Sequence, residues 1–534
     1  MACVHLDDYG MLISLLFLAA CLVATVRSFR SSGGERGGRG GKAIPSPPAL
    51  PVIGNLHQLG KGRFHRTLQE LSRRHGPLFL LRLGAVRVLV VSSATMAEAV
   101  LKAQDHVFCS RPQQHTARGT LYDCRDVAFS PYGERWRQLR RVAAVHLLSV
   151  KRVDSFRALR EEEVASILDR IRAASCGEHR GGGINVSELI VSLTNTVVSR
   201  ATLGRKLGGV EPGKIRETMI EFTNLLETIA VSDVFPRLGW VDWATGLDAR
   251  VKRTASKLDD IAEKALREHE KSRGHEGEEA RDLMDDLLSI VNDDGGGHGY
   301  KLDRIDIKAF TLDMFIAGTD TIYKAIEWTM AELIKNPTEM AKVQAEVRQV
   351  AGAEGGRAIA VVPEEKLGKM TLLQAAMKEA LRLHPSLPLL IPREAIRDTE
   401  LHGYHIPAKT RVMINAWAIG RDGEAWEDAG EFRPERFVVH EGAAGAGDDH
   451  CYGDTDFRFI PFGAGRRGCP GVAFGTRLAE LALANMVYHF DWALPDGQDL
   501  DSFQLVEATS GLSPGLMNAL VLAAKPLKFE AVPV

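Results

Sequence analysis

Cysteine is scarce in this chain and never clustered. Its seven copies, Cys3, Cys21, Cys109, Cys124, Cys176, Cys451 and Cys469, are scattered over 534 residues. That excludes a disulfide framework and suits a reducing, cytosolic face. An excess of either charge is missing too. The 67 Lys and Arg stand against 69 Asp and Glu, a formal net charge of −2, which leaves no electrostatic ground for a nucleic-acid partner. No zinc-finger, P-loop or RNA-binding pattern is present, no repeat recurs at solenoid periods, and nothing looks like a flavin or NADPH module.

What is there is hydrophobic content of 45%, enough for a large core. Gly10 to Val26 is an uncharged apolar run. At about 1.5 Å per residue it reaches roughly 26 Å, enough for a thin bilayer such as the endoplasmic reticulum. Asp7 and Asp8 precede it, whereas Arg27, Arg30, Arg36, Arg39 and Lys42 follow. This bias predicts a signal anchor, not a cleaved signal peptide, with the body of the chain in the cytosol. The expected organisation is a lumenal end at 1–9, a transmembrane anchor at 10–26, a Gly/Arg-rich linker and proline hinge at 27–51, and one catalytic domain at 52–534. The linker should be drawn to lipid headgroups before Pro45, Pro47, Pro48 and Pro51 stiffen the chain.

The run Pro461-Phe462-Gly463-Ala464-Gly465-Arg466-Arg467-Gly468-Cys469-Pro470-Gly471 supports two readings. In one, Cys469 is a thiolate ligand of haem iron, held at a tight glycine turn whose N–H groups and following helix, Val472 to Tyr488, favour the anion. In the other, Gly463, Gly465 and Gly468 form G-x-G-x-x-G between a strand-like Phe457–Ile460 and a helix, with Asp491 about 20 residues on, as in a dinucleotide site. Spacing alone does not separate them.

Other segments do. Phe462, Gly465, Arg467, Cys469 and Gly471 meet F-x-x-G-x-R-x-C-x-G. Glu379-Ala380-Leu381-Arg382 lies in a helical pattern from Leu372 to Leu383, Phe432-Arg433-Pro434-Glu435-Arg436-Phe437 follows, and Ala317-Gly318-Thr319-Asp320-Thr321-Ile322 sits within a helical run from Arg304 to Leu333. Taken singly, the Glu-Arg pair reads as a surface pair and Ala-Gly as close helix packing. In this order along the chain they resemble the cytochrome P450 superfamily. Gly403–Ala408 and Asn415–Asp422 look like its plant A-type microsomal monooxygenases, and the similarity runs from about Ile44 onward. Asp105–Pro112 and Asp126–Pro131 are similar to grass enzymes of benzoxazinoid or indole oxidation.

The resemblance implies a mainly α-helical fold with small β-sheets enclosing haem b, with Cys469 as the axial iron ligand and Phe462 beside it. Trp136 and Arg140, four residues apart on one helix face, would reach the haem propionates together with Arg393 and Arg467. Glu379, Arg382 and Arg436 would form a buried structural triad. Thr321 would hold oxygen-side water by bonding a carbonyl one turn back, with Asp320 supplying protons. Met314, Ala317, Thr116 to Val127, Leu387 to Leu390, Gly511 and Leu512 would line the pocket. His402 and His405 read as hairpin positions, since no third ligand accompanies them.

The implied activity is insertion of one atom of O2 into a small or medium hydrophobic, plant secondary metabolite. Electrons would come from NADPH through a separate NADPH–cytochrome P450 reductase, with Arg137, Arg141 and Arg466 as docking candidates. Three alternatives stand beside it. One is a haem-thiolate enzyme that rearranges its substrate without a reductase. Another is a non-catalytic haem carrier, which has no use for Asp320 and Thr321. The last is an NAD-dependent dehydrogenase using Gly463, Gly465 and Gly468, which needs a surrounding βαβ sheet.

Overall fold

The computed structural model describes residues 42–527 apart from 61–62, 177–182, 205–211, 273–281, 293–300, 353–358, 439–455 and 509–511. The apolar run 10–26 and most of the linker therefore lie outside the described residues. None of the described helices is long and apolar enough to cross a membrane.

The described chain is mainly helical, with nine short strands in chain order: β1 (Leu78–Leu83), β2 (Val86–Val91), β3 (Ile184–Asn185), β4 (Arg393–Glu394), β5 (Thr399–Leu401), β6 (Tyr404–Ile406), β7 (Arg411–Ile414), β8 (Phe490–Ala493) and β9 (Val521–Pro526). They form a four-stranded sheet in the order β1-β2-β7-β4, a three-stranded sheet β3-β9-β8, and the β5–β6 hairpin. In the first sheet only β2 and β7 run parallel, with Val88 opposite Arg411. The hairpin turns at His402 and Gly403, whose φ angles of 48° and 81° are what a two-residue turn of this hand requires. His405 pairs with Glu400 on its exposed edge.

Five helices position the site: α1 (Glu134–Val142), α2 (Val186–Leu203), α3 (Arg304–Lys335), α4 (Thr371–Leu383) and α5 (Val472–His489). α3 begins at a capping box. Asp303 accepts the N–H groups of Ile305 and Asp306 at 2.8 and 3.0 Å, and Asp306 returns a contact to Asp303 N at 3.0 Å. It stops at Asn336 because Pro337, which opens the next helix, cannot continue the ladder. α3 runs through the main hydrophobic core and packs on α2, α4 and α5, so much of its circumference is buried. It is α-helical throughout, with no opened turn at Ala317-Gly318. A Cβ on Gly318 would sit 3.1 Å from Val198 Cγ2, so the missing side chain admits α2.

Two expectations for the C-terminal region are corrected. Phe457–Ile460 forms a turn, not a strand, because Asp456 caps it, accepting from Phe459 N through its carbonyl and from Arg458 N through its carboxylate. After α5 come β8 and β9, which pair antiparallel. A dinucleotide-binding βαβ unit around Gly463–Gly468 is thereby ruled out.

Candidate active site

The Cys469 turn is built by close approach. Gly465 has φ +67°, and a Cβ there would lie 2.2 Å from the Leu101 carbonyl oxygen and 2.8 Å from Asp105 Oδ1. Only glycine admits both the left-handed conformation and this contact. The chain folds back so that Cys469 N donates to Phe462 O at 2.9 Å, while Gly471 N donates to Cys469 Sγ at 3.4 Å. α5 starts at Val472, so the sulfur sits at a helix N-terminus. Its surface opens into a cavity of about 240 Å³. Removal from water pushes the thiol up, and the Gly471 N–H and the Arg140 cation oppose that shift.

Four guanidinium groups, those of Arg111, Arg140, Arg393 and Arg467, line the same cavity. Three are engaged by the protein. Arg393 bonds Asp105 Oδ1 at 2.7 Å and Ala464 O at 2.6 Å. Arg467 donates to the carbonyls of Cys109 and Ser130 at 2.7 Å and of Val127 at 3.3 Å, and lies 4.0 Å over the Trp136 ring. Arg111 donates to the carbonyls of Ala128, Ile391 and Pro392. Trp136 is also occupied, its indole N–H donating to Val127 O at 3.1 Å. Arg140 differs: among the described residues its guanidinium makes no hydrogen bond, and its charge acts on Cys469. Of the four residues expected to face propionates, Trp136, Arg393 and Arg467 are satisfied from within the protein, and Arg140 alone among them presents a cation that no described residue hydrogen-bonds.

The motif on α3 splits across two faces. Thr321 lines the cavity and its hydroxyl donates to Ala317 O at 2.7 Å, while its own carbonyl accepts from Ser386 Oγ at 3.2 Å. Asp320 is not part of the cavity wall. Both of its oxygens accept from Lys324 Nζ, at 2.9 and 2.8 Å, and Lys324 also donates to Ser513 O. Adjacent helical residues point about 100° apart. The acid–alcohol pair read from the sequence is therefore not a contact in the fold.

Glu379 accepts two bonds from Arg382 at 2.7 Å, one from Arg436 Nε at 3.0 Å and one from Arg433 N at 2.8 Å. Arg382 spends its remaining donors on the carbonyls of Gly420, Ala429 and Glu431. Glu379 and Arg382 are fully buried and Arg436 mostly so, and together they tie α4 to the 420–436 segment, away from the cavity.

Of the residues expected around the pocket, Met314, Ala317, Leu387, Leu390 and Val127 line it. Leu512 does not; its N–H bonds Glu227, and Gly511 lies outside the described residues. Sequence reasoning missed Asp313, Arg111 and the α2 wall of Val198, Ala201 and Thr202. Asp313 was within reach, lying one turn before Ala317 on the same helix.

A family model described as Cytochrome P450 matches residues 44–516. Cytochrome P450 71A1 of Persea americana is 46% identical over 477 residues, 88% of this chain and 91% of the relative. Phenylacetaldehyde oxime monooxygenase of Prunus mume is 45% identical over 454 residues, 85% and 83% of the two chains, and norfluorocurarine oxidase of a Strychnos species is 43% identical over 474 residues, 87% and 89%. A zebra fish cytochrome P450 solved with progesterone superposes with TM-score 0.70 at 26% identity, covering 87% of this chain and 99% of that one. The fold and the cysteine-bearing cavity define an oxygen-incorporating oxidoreductase. The chain belongs to the cytochrome P450 family, and within it is similar to plant monooxygenases.

The family implies a haem held through a cysteine thiolate, and the residues fit. Cys469 Sγ is open to a largely apolar cavity, and the uncommitted Arg140 guanidinium on the same wall is suited to a carboxylate of that group.

Proposed function

We propose that this enzyme inserts one oxygen atom from O2 into a small or medium hydrophobic plant secondary metabolite, with haem b on Cys469 and electrons from NADPH through a separate reductase. The observation that carries this reading is that Cys469 and Thr321 face one apolar cavity. When bound, the haem supplies activation of dioxygen by two electrons and two protons. The chain's residues do the rest. Cys469 offers the thiolate, Arg140 orients the group by charge, Met314, Leu387 and Leu390 exclude water from the substrate side, and the Thr321 hydroxyl, its own proton given to Ala317 O, accepts from a proton-carrying water. The names of two relatives point to an aldoxime and to norfluorocurarine as what those proteins act on, which supports a small plant metabolite here.

Two surfaces support a reading as an endoplasmic-reticulum enzyme with a cytosolic body. Trp240 and Trp243 are 65% and 74% exposed beside exposed Leu238. Their neighbour Val234 bonds the β1–β2 turn, which also bonds Ile53 where the proline segment enters, so exposed Leu50 and Ile53 extend the same apolar face. Membrane lipid is the occupant such tryptophans favour. Arg137, Arg141 and Arg466 are exposed and suit reductase docking, Arg466 while pairing with Asp105 at 2.8 Å.

Reduced protein with carbon monoxide should show the red-shifted band of thiolate ligation, and Cys469→His should abolish it. A spin-state shift screened over plant indoles, terpenoids and phenylpropanoids should find the substrate class. Product formed without NADPH and reductase would replace oxygen insertion by rearrangement.

A further inference from the structure

Two carboxyl groups meet where residues 126–129 cross α3, and among the described residues no cation is hydrogen-bonded to either. Asp126 is fully buried and Asp313 nearly so. Asp313 lines the cavity beside Met314, Val127 and Ala128. Its Oδ2 accepts the N–H groups of Val127 at 2.7 Å and Ala128 at 3.0 Å, and Asp126 Oδ2 accepts that of Phe129 at 2.8 Å. Asp126 Oδ1 is buried with no hydrogen-bond donor reaching it from the described residues. A bare buried acceptor costs about 1–3 kcal/mol, and two adjacent carboxylates repel each other as well. One proton on Asp313, donated to Asp126, removes both penalties.

We infer that Asp126 and Asp313 share one proton and form a latch that pins residues 126–129 to α3, making Asp313 a positioning residue for the substrate-facing wall. The inference rests on the cavity being the site of oxygen insertion. The latch carries more than its own segment. Val127 O accepts from Trp136 Nε1 and Arg467, and Ala128 O accepts from Arg111 Nε at 2.9 Å, so the pinned carbonyls hold the side chains along the ligand loop. The groups facing the pair are the guanidinia of Arg467 and Arg111, which favour one residual negative charge, and the buried Cys124 thiol. Burial pushes Asp126 up to about 6, and burial together with the Asp126 charge pushes Asp313 well above the ordinary carboxylate range. The shared-proton state therefore spans neutral pH, and rising pH ends it by charging both acids.

Two readouts on the full-length holoenzyme test this. Infrared difference spectra, wild type minus Asp313→Asn, at about pH 7 should contain the carbonyl band of a buried protonated carboxylic acid, the subtraction removing that of Glu480, which burial pushes up to about 7. Amide hydrogen exchange at Val127 and Ala128, corrected for intrinsic pH dependence, should quicken at least about tenfold in the wild type as pH rises from neutral into the alkaline range. Asp313→Asn should stay slow and flat with pH, since its amide accepts the same N–H groups and donates to Asp126 without a titrating proton. Asp313→Ala should exchange fast at every pH. Absence of the acid band from the difference spectrum, or the same pH profile in wild type and Asp313→Asn, overturns the latch. Neither readout depends on turnover, so a latch present in an inactive protein, or absent from an active one, separates this inference from the proposed activity.

Discussion

Asp313 and Asp320 lie two turns apart on one helix, and their surroundings are opposite. Asp320 is matched with the buried Lys324 ammonium, which also reaches the Ser513 carbonyl. Asp313 is matched with another acid and backbone N–H groups, and it forms cavity wall. The first pair ties α3 to the 513–516 strap by opposite charges. The second ties α3 to the 126–129 loop through a proton. One helix thus carries two fastenings of different chemistry, one on the cavity wall and one away from it.

The largest effect should come from breaking the charged fastening. Asp320→Ala leaves the Lys324 ammonium, 6% exposed, without its main partner. Such an orphaned buried charge should cost about 3 kcal/mol in urea unfolding. Lys324→Met, which leaves the more exposed Asp320, should cost less, and the double variant should recover much of the loss. Equal costs for both single variants would mean that the pair is ordinary surface chemistry and the contrast with Asp313 disappears.

Next in size is the separation of Asp320 from the chemistry. Thr321→Ala removes a hydroxyl that lines the cavity, so product formed per NADPH should fall by about tenfold as electrons are diverted to hydrogen peroxide. Asp320→Asn keeps the shape of a side chain that does not line the cavity and should leave coupling nearly unchanged. Product per NADPH, measured together with peroxide, decides the matter. A loss in Asp320→Asn matching that in Thr321→Ala would make Asp320 a proton source for the cavity despite its place on another face of α3.

How far these features could be read from the chain follows from what fixes them. The bounds of α3, α4 and α5 were legible almost to the residue, because Asp303 caps one, Pro337 ends the same helix, and the Gly471-Val472 step starts another. The Cys469 turn was legible because one segment makes it, with Gly465 required by its own φ and by the Leu101 carbonyl. The Glu379, Arg382 and Arg436 residues could be grouped only through the family resemblance, since 57 residues separate Arg436 from Glu379. What was not legible is direction and long-range pairing. Reading Asp320 and Thr321 as partners ignored the turn between adjacent residues, and Phe457–Ile460 looked like a strand because its alternation is real but Asp456 captures the backbone first. Asp126 with Asp313 is invisible in principle, since 186 residues separate the loop amide from the acid that holds it and nothing local marks either one.

The smallest effect is also the one that most cleanly separates the two fastenings, because it appears as a dependence on pH. Asp126 is raised from an ordinary carboxylate value of about 4 to about 6. A group raised on folding contributes stability that is fully present below its unfolded value and is lost as pH rises through its folded value. Asp313 is raised as well, so the wild type should lose stability relative to an Asp126→Asn, Asp313→Asn double variant as pH climbs from about 4 through about 6 and on above it, by about 1 kcal/mol or more per pH unit. Asparagines at both positions keep a donor and an acceptor each, so the loop stays fastened while its proton dependence is gone. Urea midpoints collected at fixed ionic strength measure the difference directly, and the buried Arg467 and Arg111, present in both proteins, cancel from it. A difference that does not change over this range would place the titrating proton elsewhere, and the loop would then be held by its N–H bonds alone.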